Sequence, residues 1–97
     1  MTHSIHPAAV SEAADAVRFY ESRDPELGVR FQAEIFASIE RARMQPRLYR
    51  EFEAGLRKVK TDRFPYFLIF RVCNERQIQI LAIAHASRRP GYWKKRL

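Results

Sequence analysis

The sequence predicts a two-layer α+β fold in the order β-α-α-β-β-β, with a helical hairpin packed on one face of a mainly antiparallel sheet. Three observations lead there. Two consecutive segments of the first half carry apolar residues at helical spacing, and each begins at a proline, Pro7 or Pro25. The second half holds two apolar runs, Phe64 to Cys73 and Ile78 to Ala84, around a polar break at Asn74-Glu75-Arg76, which is the pattern of a β-hairpin. Helices gathered before the strands, rather than alternating with them, pack on one side of an antiparallel sheet.

Taken in order, Met1 to His6 has room only for a brief strand. Pro7 suits a first helical turn, where its missing N–H costs nothing. Val10, Ala13, Ala14, Val17 and Tyr20 then form one apolar face of a helix from about Pro7 to Ser22, with Glu12, Asp15, Arg18 and Glu21 on the other side. Asp24-Pro25-Glu26 restarts the helix with a carboxylate cap and an acid in the first turn. Leu27, Phe31, Ile35, Ile39 and Ala42 carry the second helix to about Met44, and Pro46 stops it. A short link between the two helices makes them antiparallel.

Pro46 to Gly55 reads as a connecting loop anchored by Tyr49 and Phe52. Lys58 and Lys60 alternate with Val59, so Leu56 to Thr61 is a half-buried strand, joined tightly at Arg63 to the Phe64 strand. Side chains along a strand alternate between faces. That parity assigns Tyr66, Leu68, Phe70 and Val72, with Ile78, Ile80, Ala82 and Ala84, to the helix-covered face. Phe67, Ile69 and Arg71, with Leu81, Ile83 and His85, fall on the opposite, open face, beside Lys58 and Lys60.

Ninety-seven residues suffice for one core, and residues 1–97 read as a single domain. No run of about 20 apolar residues and no signal-peptide pattern is present, and a cytoplasmic setting is expected. The single cysteine, Cys73, lies in an apolar run and is expected to be a small buried hydrophobe. Charge is divided unevenly. Residues 1–53 hold seven Lys/Arg and nine Asp/Glu, a net −2, whereas residues 54–97 hold eleven Lys/Arg and two Asp/Glu, a net +9. Such asymmetry points to a polyanionic partner, either nucleic acid or an acidic protein.

Beyond Ala84 the chain turns cationic and aromatic: His85, Arg88, Arg89, Tyr92, Trp93, Lys94, Lys95 and Arg96. No metal site is expected, since His3, His6 and His85 are scattered and one cysteine builds no zinc cluster. Glycine-rich phosphate-binding motifs and serine-hydrolase motifs are lacking, so no cofactor is expected. Two chemistries remain open. Metal-free RNA cleavage needs a base, an acid and cations around the phosphorane; His85, Tyr92, Lys58, Lys60 and Arg88 are candidates. A binding surface needs only the contacts of Arg71, His85, Arg88, Arg89, Tyr92 and Trp93, residue types that anchor interfaces and stack on bases.

The element order, the His6-Pro7 start, Phe64-Pro65-Tyr66 and the Ala84-His85-Ala86-Ser87-Arg88-Arg89-Pro90-Gly91-Tyr92-Trp93 tail together resemble the RelE/ParE toxin superfamily of type II toxin–antitoxin systems, also called plasmid stabilisation proteins. The resemblance covers nearly the whole chain. It implies a cytoplasmic bacterial toxin that inhibits growth and is silenced by an acidic antitoxin encoded beside it. RelE-like members cut messenger RNA on the ribosome, and ParE-like members poison DNA gyrase. Lys58, Lys60 and Tyr92 match the RelE pattern, but Phe67 and Ala86 stand where it has arginines. His85-x-x-Arg88 is closer to ParE, so the resemblance implies gyrase as the target, with ribosome-bound messenger or a non-toxic binding role as alternatives.

Overall fold

Pro7 and Pro25 each open a helix with a side-chain cap before it. Nδ1 of His6 accepts from the Ala8 amide at 3.0 Å, and Oδ1 of Asp24 accepts from the Glu26 amide at 3.0 Å. The computed structural model describes residues 1–97. It comprises β1 (Thr2–Ile5), α1 (Pro7–Arg23), α2 (Pro25–Met44), a 3₁₀ turn (Pro46–Leu48), β2 (Glu51–Glu53), β3 (Leu56–Lys60), β4 (Tyr66–Val72), β5 (Gln77–His85) and a C-terminal 3₁₀ helix (Tyr92–Arg96). The predicted α+β class and helical hairpin are therefore present, with one strand more than the sequence reading gave.

The sheet runs β1-β5-β4-β3-β2, with β1 parallel to β5 and every other pair antiparallel. Phe31, Ile35, Ile39 and Ala42 of α2 are buried against Leu68, Phe70, Ile78 and Ile80. Tyr20, Phe31, Phe64 and Tyr66 close one end of this core, and Phe31 lies 5.0 to 5.1 Å, centroid to centroid, from each of the others. Tilted and edge-to-face pairs of this kind each contribute about 0.5–1.5 kcal/mol beyond their burial. The helices touch closely at Gly28, where a Cβ would stand 3.0 Å from Cγ of Glu21.

Several expectations are corrected. The extra strand, β2, is tied to β3 across Ala54-Gly55, with Gly55 at φ +77°. Cys73 is exposed, because β4 ends at Val72 and places it in the hairpin loop. Face parity on β5 fails after Ile80. Phe70 pairs with Ile80 and Ile69 with Ala82, so Leu81 is an extra residue, a β-bulge. The bulge reverses the alternation: Ile83 joins Ile78 and Ile80 in the helix-side core, whereas Ala82 and Ala84 move to the other face with Leu81.

That other face is not left open. Leu56, Ile69, Leu81, Ala82 and Ala84 form a second cluster capped by Trp93, with Phe52, Phe67 and Tyr92 around it. The chain thus buries both sides of its central strands, the second with its own C-terminal turn.

Candidate functional site

The C-terminal turn is shaped by backbone contacts before any side chain enters. As β5 ends, the Ala86 amide donates to the Pro65 carbonyl at 2.7 Å, and the Arg88 amide to that of His85 at 3.0 Å. Gly91, at φ +85°, then reverses the chain into the 3₁₀ helix, a conformation that costs glycine little. Trp93 falls onto the second cluster, 8% exposed and edge-on to Phe52 at 6.2 Å.

One acid from the first half of the chain fixes this turn. Past the end of β1, the β5 edge presents the Ile83 amide and the Leu81 carbonyl. Oε1 of Glu12 accepts from the Ile83 amide at 3.0 Å, and Nη1 of Arg96 donates to the Leu81 carbonyl at 2.8 Å. Arg96 grips both carboxylate oxygens of Glu12 at 2.9 Å, and the Tyr92 hydroxyl donates to Oε2 at 2.6 Å. Arg88 lies 3.7 Å from the same carboxylate and over the Tyr92 ring at 3.9 Å. An acid–base pair of side chains thereby continues the hydrogen bonding that β1 began.

The electrostatics follow from this geometry. Burial pushes the Glu12 carboxyl up, but hydrogen bonds from Arg96, Tyr92 and the Ile83 amide together outweigh it and hold the group below its usual value. Burial and the Glu12 hydrogen bond both push the Tyr92 phenol well above its usual value. The Tyr92 proton is committed to Glu12.

Beside the turn lies a concavity of about 320 Å³. Phe52, Phe67, Ile69 and Trp93 supply apolar lining, and Lys58, His85, Arg88 and Lys94 supply polar groups. Lys58 sits over the Phe52 and Phe67 rings at 5.2 and 4.9 Å, with no carboxylate partner, while Lys94 pairs with Glu53 at 3.0 Å. Arg89 and Lys95 are exposed and unpaired, and both border a neighbouring surface hollow with Lys94. His85 belongs to two surroundings, since it lines the concavity and also meets Tyr66 edge-on at 5.1 Å. Its Nδ1 accepts from the Ser87 amide at 3.0 Å, which puts the neutral ring's proton on Nε2.

The structure thus brings Lys58, His85 and Arg88 to one concavity. Arg71 is not among them. It lies five residues along β4 from Tyr66, the partner of His85, roughly 17 Å away at about 3.4 Å per residue, and donates to Gln79 at 2.9 Å. Lys60 donates to the Thr61 and Phe64 carbonyls at 2.7 and 2.6 Å, bracing the tight connection before β4. Tyr92 and Trp93 serve the turn itself. Sequence reasoning missed Glu12, which nothing in the pattern distinguishes from Asp15 or Glu21 on the same helix. It also missed β2, for which a signal existed: alternating Glu51-Phe52-Glu53 ahead of a turn glycine.

A second hollow, of about 370 Å³, lies on the helix side, among α1, α2 and the β1–β5 end of the sheet. Ile5, Val10 and Phe36 stand in it at 36, 52 and 61% exposure. Val10, expected in the core, is thus on the surface: Ala9 and Ala16 carry the deepest contacts of α1. None of the helices is long and apolar enough to cross a membrane.

No curated relative matches the chain. Among solved structures, a chain titled "Chromosomal ParDE TA system from P. aeruginosa" has a similar fold, with TM-score 0.77 and 20% sequence identity, over 90% of this chain and 97% of that one. Residues 4–90 match the family model described as the ParE toxin of the type II toxin–antitoxin system, parDE, a span that includes Glu12 and ends just before the C-terminal 3₁₀ helix. The chain belongs to the ParE toxin family.

Proposed function

We propose that this chain inhibits growth by binding DNA gyrase through the surface at the end of the sheet, and that a cognate acidic antitoxin neutralises it. The observation that carries the reading is the cation pattern there. Lys58, Arg89 and Lys95 have no internal acid, and Arg88 is half exposed, all around or beside an apolar-lined concavity. Unpaired cations beside aromatic side chains suit a macromolecular interface.

Binding is favoured over RNA cleavage because two of the groups that cleavage would use are occupied. The Tyr92 proton is held by Glu12, and the Lys60 ammonium by two carbonyls. Neither is placed to serve a leaving oxygen or a phosphorane.

The antitoxin half rests on two surfaces. The cationic end of the sheet attracts an acidic segment, and the apolar hollow containing Val10 and Phe36 fits one face of an amphipathic helix. Exposed apolar side chains gathered in a hollow commonly mark an interaction site.

The test is inducible expression of the chain, followed by assays of plasmid supercoiling and of messenger ends on ribosomes. Growth arrest with loss of supercoiling activity is expected, reversed by co-expression of the neighbouring acidic protein. Codon-positioned messenger cuts with normal supercoiling would replace gyrase by the ribosome. Normal growth would leave a binding module without toxicity.

A further inference from the structure

We propose that Glu12 is the positioning residue of the target-binding surface, holding the C-terminal turn in the one geometry that presents Arg88, Arg89 and Lys95 together. This rests on the proposed reading that the turn meets the target. Glu12 makes none of that contact itself; it acts through the residues it grips.

The turn has few other anchors. Trp93 packs on the second cluster and Lys94 pairs with Glu53, but that pair is exposed on both sides, at 55 and 41%. An exposed pair of this kind contributes little. Besides the Arg96 bond to the Leu81 carbonyl, the side-chain contacts of the turn converge on one carboxylate: the Arg96 fork, the Tyr92 hydroxyl and the nearby Arg88 guanidinium. A two-pronged guanidinium–carboxylate contact fixes direction as well as distance. Its surroundings strengthen it, since the Glu12 and Arg96 side chains are only 13 and 11% exposed.

The same contact fixes Arg88. That guanidinium is placed between the Tyr92 ring at 3.9 Å and the Glu12 carboxylate at 3.7 Å. Arg89 follows directly, and Lys95 lies on the 3₁₀ helix that ends at Arg96. Remove the carboxylate, and Arg96 loses its acid while the Ile83 amide loses its acceptor. The segment from Arg88 to Arg96 is then tied to β5 only by Trp93 and the Arg96–Leu81 contact, and its cations are no longer held as one surface. Held in advance, such a surface binds without a further ordering cost.

Trp93 reports this directly, being the only tryptophan in the chain. Glu12→Gln is expected to move its emission to longer wavelength and raise its quenching by iodide, with the far-ultraviolet circular dichroism of the helices retained. Gyrase binding and growth arrest should weaken roughly tenfold, the scale of losing an interface anchor. Arg96→Met attacks the contact from the other side and decides the matter should Glu12→Gln fail to fold. Gly28→Ala is the control, since it loosens the helix pair far from the turn and should leave Trp93 emission and growth arrest as in the wild type. Unchanged emission in both latch variants overturns the proposal, as does full target binding once the emission has shifted. An Arg88→Glu/Arg89→Glu chain that still arrests growth sinks the target-binding reading instead, while the emission experiment continues to test what holds the turn.

Discussion

Glu12 and Arg96, 84 residues apart in the chain, meet in a two-pronged ion pair at 2.9 Å on both arms, against the part of β5 that β1 does not reach. A helix of the acidic half and the last turn of the basic half are joined there. The charge asymmetry read from the sequence is therefore partly spent inside the molecule.

Acid should weaken the fold through this pair. The folded-state value of Glu12 is held down, so its contribution is fully present above the unfolded value, near 4.5, and is lost as the pH falls through the lower folded value. Glu34 acts in the same direction: burial raises its carboxyl, but the Asp62 amide, Arg41 and Ser38 together lower it. Urea midpoints measured from neutral pH downward should fall below about pH 4.5, and Glu12→Gln should flatten that dependence. An unaltered acid slope in the variant would remove Glu12 as a cause.

Truncating the pair should be costly. Glu12→Ala leaves a largely buried guanidinium without its acid, a loss of about 3 kcal/mol. Tyr92→Phe removes one hydrogen bond to a charged group, a loss of about 1.5 kcal/mol. Equilibrium unfolding at neutral pH measures both, and equal losses would deny the ranking.

Trp93 should tolerate phenylalanine better than alanine. Its Nε1 is buried and no protein acceptor reaches it, so Trp93→Phe removes a polar group that gains nothing there and should change stability by about 1 kcal/mol or less. Trp93→Ala empties the cap of the second cluster, at a cost of about 3 kcal/mol. A Phe variant as unstable as the Ala variant would show that the indole makes a contact phenylalanine cannot replace.

Reversing the free cations should separate target binding from folding. Arg89→Glu with Lys95→Glu touches no internal ion pair, so the urea midpoint should stay within about 0.5 kcal/mol of wild type. Growth arrest should be lost. Retained arrest at equal expression would move the target contact elsewhere.

Phe36→Asp should do the reverse. The side chain is 61% exposed in the helix-side hollow, so the fold and the growth arrest should persist while neutralisation by the antitoxin weakens by at least about 1 kcal/mol. Undiminished neutralisation would confine the antitoxin to the cationic surface.

Much of the fold was legible because its signals are local. Pro7, Pro25 and Pro46 punctuate the helices, the apolar spacing of Phe31, Ile35 and Ile39 sets the α2 core face, and Asn74-Glu75-Arg76 marks the hairpin. Of the candidate site, the sequence supplied the cations and their place after β5. It could not show which of them are taken: Arg96, Lys60 and Lys94 have the composition of free charges and are all engaged.

By itself the sequence determined the types of the two long helices and the main strands, most of their bounds and the basic character of the second half, since each depends on residues a few positions apart. Only the tertiary structure decided which way β5 faces after Leu81, that Trp93 closes the second cluster, and that Glu12 among several similar acids receives Arg96. The last of these depends on which groups β1 leaves unpaired when it stops at Ile5. Buried peptide groups must find partners, and no spacing along the chain says which side chain will reach them.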